Sequence, residues 1–232
     1  MALHDPFDRF LDVVMPSDAD KELLSGFRSI SRRINAVRAS STITANGSDQ
    51  IAFVASGSTK LVAHAMHGRE QVVSFQFAGD LVLVPARTAH AYTLTALEDG
   101  DLLHFNADPF FALAGQQNGL VIVLMQRAYQ SLAQCREKSV TLGRTSAQEK
   151  LAGFLINMAD RIGEAQESGV RLHLLMARRD IADALGLTIE TVSRQFTIMR
   201  DDGLLEISGR SGIVLCDLNA LSERAGHLPV NA

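Results

Sequence analysis

Within the stretch Arg178–Ile198, five side chains with hydrogen-bonding or charged ends, Thr188, Glu190, Thr191, Ser193 and Arg194, are gathered over seven positions. At helical spacing they share one face, and together they offer hydroxyl, carboxylate and guanidinium groups suited to phosphates and to base edges in a DNA major groove. Arg194 can donate two hydrogen bonds to a guanine, Glu190 can accept from an exposed amino group, and Ser193 can reach a neighbouring base edge. Thr188 and Thr191 fall at a helix start, where backbone amides and the helix dipole favour phosphate, and Arg178 and Arg210 flank them as further phosphate contacts.

Those side chains need a scaffold, and the same stretch supplies it. Arg178-Arg-Asp-Ile-Ala-Asp-Ala-Leu-Gly186 and Leu187-Thr-Ile-Glu-Thr-Val-Ser-Arg-Gln-Phe-Thr-Ile198 read as two short helices joined at a glycine. Small Ala182 lies where they cross, and Ile181, Leu185, Leu187 and Val192 are spaced to pack the pair together. After Met199-Arg-Asp-Asp-Gly203, the segments Leu204–Ser208 and Ile213–Cys216 read as strands around the hairpin turn Gly209-Arg-Ser-Gly212. Two helices and a hairpin in that order predict a winged helix-turn-helix.

These residues resemble the CRP/FNR superfamily of bacterial transcription regulators. The Glu190-x-x-Ser193-Arg194 signature is that of the FNR and FixK branch, and Leu142-Gly-Arg…Ala147-Gln-Glu-Lys-Leu-Ala-Gly-Phe-Leu155 is similar to the family's segment leading into the DNA-binding domain. The resemblance implies a homodimer that reads a TTGA-type palindrome in double-stranded DNA and acts on RNA polymerase.

The N-terminal half is organised differently. Pro6–Val14 and Ser17–Phe27 are expected as short helices, followed by strands at Ile51–Val54, Thr59–Ala63, Gln71–Phe77, Asp80–Val84, Tyr92–Ala96 and Asp101–Phe105. Six or more short strands at this spacing suggest an antiparallel roll or barrel. The resemblance makes it a cupin-like β-roll, with Gly57, Gly68 and Gly79-Asp80 at its turns. In the family's cyclic-nucleotide sensors a Gly-Glu pair and an Arg-Ser pair hold the ribose and cyclic phosphate. Leu83-Val84 and His90-Ala91 stand in those places here, so cAMP is not expected as a ligand, and nearby Arg87 reads as a surface charge.

A long helix is expected from about Gln116 to Lys138. Val121, Leu124 or Met125, Ala128, Leu132 and Cys135 recur at coiled-coil spacing, a seam that would pair two subunits. Ser146-x-x-Glu149 then forms a capping box for a helix ending near Gly163. The resulting fold class is α+β, divided as a β-roll sensor or effector domain over residues 1–114, a dimerisation helix over 115–142 and a winged helix-turn-helix over 143–232.

Composition narrows the alternatives. The 232 residues carry a net charge of −4; residues 1–112 hold 9 basic and 13 acidic side chains, whereas residues 170–232 hold 7 and 8, so DNA affinity must come from where individual arginines point. No apolar run reaches the roughly 18 residues of a membrane span, and Asp5, Asp8 and Asp12 interrupt a signal-peptide reading, so a cytoplasmic protein is expected. Cys135 and Cys216 lack metal-ligand spacing and are expected as buried inert thiols; the several cysteines of FNR-like iron–sulfur sensors are not present. His64-Ala-Met-His67-Gly-Arg-Glu70 approaches the cupin metal motif. However, histidines three apart on a strand point to opposite faces, so a surface hairpin is expected instead. No catalytic constellation stands out, which leaves a cupin-like metal-dependent enzyme with an accessory winged helix as the alternative to a regulator. No cofactor is expected; some superfamily members bind haem, for which His4, His90 and His104 are the candidate ligands, with nothing selecting among them.

Overall fold

The computed structural model describes residues 5–39, 42–45, 47–86, 88–143, 146–209 and 211–226, which form two compact units, residues 1–133 and 134–232. His4, Arg87, Arg210 and the His67 side chain lie outside the described residues. No helix among the described residues is long and apolar enough to cross a membrane.

The first unit opens with α1 (Pro6–Val14) and α2 (Lys21–Ile30). The α1 boundaries match the sequence expectation, whereas α2 begins four residues later than Ser17, because Asp20 takes the capping role and its carboxylate accepts from the Leu23 N–H at 2.7 Å. Among the described residues eight strands follow: β1 (Arg32–Ala36), β2 (Thr42–Thr44), β3 (Gln50–Val54), β4 (Ser58–His64), β5 (Glu70–Phe77), β6 (Leu81–Val84), β7 (Ala91–Ala96) and β8 (Gly100–Asn106). They form two antiparallel four-stranded sheets of order β1-β8-β3-β6 and β2-β7-β4-β5. Six strands fall where alternation placed them. Strands β1 and β2 were not foreseen, one being a sheet-edge strand that begins with two arginines and the other only three residues long.

Strand geometry then sorts the side chains. Ala52, Val54 and Leu102 face Ile43, Leu61, Leu94 and Ala96 inside the roll. Alternate residues of the same strands, Ile51, Phe53, Leu103 and Phe105, face outward onto helices, where they meet Phe7, Phe10, Phe27 and Phe110. Phe10 is fully buried, with its ring centre 5.4 Å from that of Phe53 and 5.2 Å from that of Phe105. Two polar pairs lie in the roll, Thr59 with Gln76 at 3.0 Å and His104 Nε2 with Gln50 Oε1 at 2.6 Å, whereas the buried Ser58 Oγ has no hydrogen-bond partner among the described residues. Burial lowers the His104 pKa, and the Arg32 charge lowers it further.

Two helices close this unit, the unforeseen α3 (Ala107–Ala114) and the long α4 (Asn118–Gly143). The latter extends five residues past Lys138, since no helix breaker occurs before Gly143. Leu120 is fully buried, and Arg127 donates to the carbonyls of Gly79 at 3.1 Å and Val13 at 2.8 Å, tying α4 to the β5–β6 turn and to α1.

The second unit contains α5 (Ala147–Ile162), β9 (Glu164–Gln166), β10 (Gly169–His173), α6 (Arg178–Leu185), α7 (Ile189–Asp201), β11 (Leu205–Ser208), β12 (Gly212–Leu215) and α8 (Leu218–Arg224). Both halves of the expected capping box form on α5: Ser146 Oγ accepts from the Glu149 N–H at 3.1 Å, and Glu149 Oε2 accepts from the Ser146 N–H at 3.2 Å. The wing hairpin joins β10 and β9 in a sheet of order β11-β12-β10-β9.

Arg127 anchors α4 through charge-assisted hydrogen bonds to two carbonyls that no helix or sheet satisfies. Arg127→Ala is therefore expected to destabilise the first unit by about 1–2 kcal/mol, measured by urea unfolding; an unchanged midpoint and slope would show that the anchor is idle.

Candidate nucleic-acid interface

Helix α6 ends at Gly186, whose left-handed backbone (φ 63°, ψ 42°) lets the chain reverse direction at low conformational cost. Its N–H and that of Leu187 both return to the Ala182 carbonyl. Ala182, Ile181 and Leu185 are buried, as are Val192, Phe196 and Met199 on the facing side of α7. At the start of α6, Asp180 Oδ2 accepts from the Ala177 N–H at 2.9 Å. The wing turn is tight: a Cβ on Gly212 would lie 2.5 Å from the Ser208 carbonyl oxygen.

Burying Val192, Phe196 and Met199 commits the opposite side of α7 to solvent. Glu190, Ser193 and Arg194 are all exposed there, one helical turn apart or adjacent, and Thr197 extends the row. Thr188 caps α7, its Oγ1 accepting from the Thr191 N–H at 3.2 Å with the two hydroxyls 3.0 Å apart. Both hydroxyls thus sit at the positive end of the helix dipole. Arg178 is half-buried, with its guanidinium carbon 3.2 Å from the centre of the Phe196 ring, and burial lowers its pKa to about 10, so it remains charged at neutral pH. Arg210 lies outside the described residues. Sequence spacing offers no signal for the Arg178–Phe196 contact, which exists only because α6 and α7 cross.

The seam on α4 is displaced in one place. Val121, Ala128, Leu132 and Cys135 are exposed, but Leu124 packs against its own unit's aromatic core. Met125, 67% exposed, is the outward-facing residue of that pair, so the stripe runs Val121, Met125, Ala128, Leu132, Cys135. Ile122 and Tyr129, 58% and 70% exposed, widen it. An isolated subunit leaves this apolar band uncovered.

Both cysteines are exposed, contrary to the expectation of buried thiols: Cys135 is on the outward side of α4 and Cys216 lies just beyond β12. Desolvation and the Glu206 charge raise the Cys216 pKa. His64 sits at the β4–β5 corner, with Nε2 2.7 Å from Thr93 Oγ1 and Nδ1 3.4 Å from Glu70, its register partner. Among the described residues no group of three or more His, Cys, Asp or Glu could hold a metal ion. Of the two described haem candidates, His90 is exposed and His104 is engaged by Gln50, so neither is a buried, unengaged imidazole suited to an axial ligand.

Comparison with known proteins agrees with this arrangement. Residues 149–224 match the Crp-like helix-turn-helix domain. The chain is 33% identical over 180 residues to the nitrogen fixation regulation protein FixK of Azorhizobium caulinodans, covering 75% of this chain and 73% of that one. It is 32% identical over 182 residues to the transcriptional activator protein FnrL of Cereibacter sphaeroides, covering 77% and 73%. The structure of FixK2 from Bradyrhizobium japonicum superposes with a TM-score of 0.72 at 25% identity, covering 87% of this chain and 100% of that one. With helix, turn, wing and β-roll all in place, the chain belongs to the CRP/FNR family of transcription regulators, whose members are DNA-binding proteins and not enzymes.

Proposed function

We propose that the protein acts as a homodimer that reads a TTGA-type palindrome and regulates transcription by recruiting or blocking RNA polymerase. The observation that carries the reading is the exposed row Glu190, Ser193 and Arg194 on the helix whose other side is locked by Val192, Phe196 and Met199. In this reading Arg194 donates two hydrogen bonds to guanine, Glu190 and Ser193 take neighbouring base edges, and Thr188, Thr191, Arg178 and Arg210 meet phosphates. The partnership with RNA polymerase follows from relatives such as the transcriptional activator protein FnrL. Because its target is chromosomal DNA, the protein works in the cytoplasm.

Functionally, residues 1–114 serve as the effector domain, 115–142 as the dimerisation helix and 143–232 as the DNA-binding domain. The bare apolar band through Val121, Met125, Ala128 and Leu132 supports pairing of two α4 helices, since a band of that kind is stable in water when a second copy covers it. Cyclic AMP has no counterpart to its usual contacts, because Leu83 and Val84 present aliphatic side chains and His90-Ala91 lacks a guanidinium. Two cysteines do not make the ligand set of an iron–sulfur cluster, which uses four. Regulation therefore proceeds without cAMP and without such a cluster.

Fluorescence anisotropy with a duplex carrying the TTGA palindrome tests base readout. Arg194→Ala is expected to weaken binding by about 1–3 kcal/mol per half-site and to relax preference at the contacted guanine. Equal affinity of variant and parent for the palindrome would overturn the assignment.

The dimer is tested by Leu132→Glu, which places two carboxylates against each other near the two-fold axis and is expected to weaken self-association by at least about tenfold. Promoter affinity falls with it, because both half-sites must be held at one spacing. Sedimentation equilibrium that still finds a dimer, together with normal promoter binding, would place the dimer contact elsewhere.

A further inference from the structure

Arg178 occupies an electrostatically unusual position. It is the first residue of α6, where the positive end of the helix dipole opposes a cation. It is half-buried and has lost water, which lowers its pKa to about 10, and desolvation is the only cause of that shift. Among the described residues it has no hydrogen-bond or ion-pair partner, whereas Arg200 is paired with Asp201 and Arg224 with Asp202 in the same unit. Its guanidinium carbon lies 3.2 Å from the centre of the Phe196 ring, over the ring face. Phe196 is 1% exposed and rigidly packed on α7. A desolvated cation without a counter-charge, held flat by an aromatic ring at a helix start, is arranged to receive an anion. A phosphate there would offset the desolvation and satisfy both the guanidinium and the end of α6.

We propose that Phe196 is a positioning residue for DNA binding: its ring holds the Arg178 guanidinium in the pose that docks one backbone phosphate per half-site. The proposal rests on the DNA-reading function above and adds to it a residue that touches neither base nor phosphate. The stacked pair is formed before DNA arrives, so the arginine does not have to be ordered and stripped of water during binding.

A double-mutant cycle on the full-length protein tests it, using Phe196→Leu, Arg178→Gln and the double variant. Anisotropy is measured against the TTGA palindrome and a random duplex over a salt series, with thermal unfolding alongside. Arg178→Gln is expected to weaken both duplexes equally and to reduce the salt slope by about one per half-site. Phe196→Leu, which keeps an apolar side chain in the core, is expected to reproduce that pattern with a loss of roughly three- to tenfold. The double variant should be no weaker than Arg178→Gln alone. Multiplying losses would mean that Phe196 acts only through packing, and would overturn the proposal. An Arg178→Gln variant with parental affinity, while Arg194→Ala still fails, overturns it and leaves the DNA-reading function standing. A parent protein that does not distinguish the palindrome from random DNA overturns both. Should Phe196→Leu not fold, Arg178→Lys, which keeps the charge but not the planar stack, is expected to bind as weakly as Arg178→Gln; parental affinity would again overturn the proposal.

Discussion

A helix can present a fixed row of polar side chains only if its other side is immobilised, and in this protein Val192, Phe196 and Met199 supply that constraint. All three are at most 1% exposed, packed in the helix-turn-helix core that also holds Ile181, Ala182 and Leu185. Ala182 permits the close crossing, and the left-handed Gly186 lets the chain turn back at the required angle. Further out, Arg224 of α8 donates to Asp202 at 2.6 Å, where α7 ends. Helix α7 is thus fixed at its middle by burial, at its start by Thr188 and at its end by Asp202.

The first unit solves a different problem by similar means. Strands β3 and β8 bury both faces, one inside the roll and one beneath helices, so their alternating residues serve two cores at once. Helix α4 is likewise two-sided. Leu120, Leu124 and Arg127 belong to the unit's own packing, while Met125, Tyr129 and Leu132 look outward. An amphipathic helix with apolar residues on both sides has one side too many for a single subunit, which is the physical argument for a second copy.

Much of this was legible in the sequence where the signal is local. The turn glycine, the capping box of Ser146 and Glu149, and the alternation in β3 through β8 depend on neighbours a few residues apart, and all appear as read. The exposed positions of Glu190, Ser193 and Arg194 follow from helical period alone. What escaped depends on distance. The choice between Leu124 and Met125 is decided by an aromatic core built from residues far away in the chain. The stacking of Arg178 on Phe196 and the reach of Arg127 to Val13 join residues with no local pattern between them. Helix α3 was missed although Asn106, a favoured N-cap residue, precedes it and Asp108 lies in its first turn. The exposure of Cys135 and Cys216 reverses a rule of average behaviour, since cysteine is usually buried and position overrides that tendency here.

The separation of duties on α7 also bears on how such a protein diverges. Exposed residues remote from caps and cores usually change stability by no more than about 0.5 kcal/mol when replaced. Ser193 and Arg194 are of that kind, so in the proposed reading an altered operator preference can arise by single substitutions there without a compensating change in the core. Thr188 and Glu190 are exceptions, the first because its hydroxyl starts the helix and the second because its carboxylate lies in the first turn at the positive end of the helix dipole. In that reading, a lineage of duplicated copies can drift in which promoters it recognises while the architecture of the helix-turn-helix stays the same.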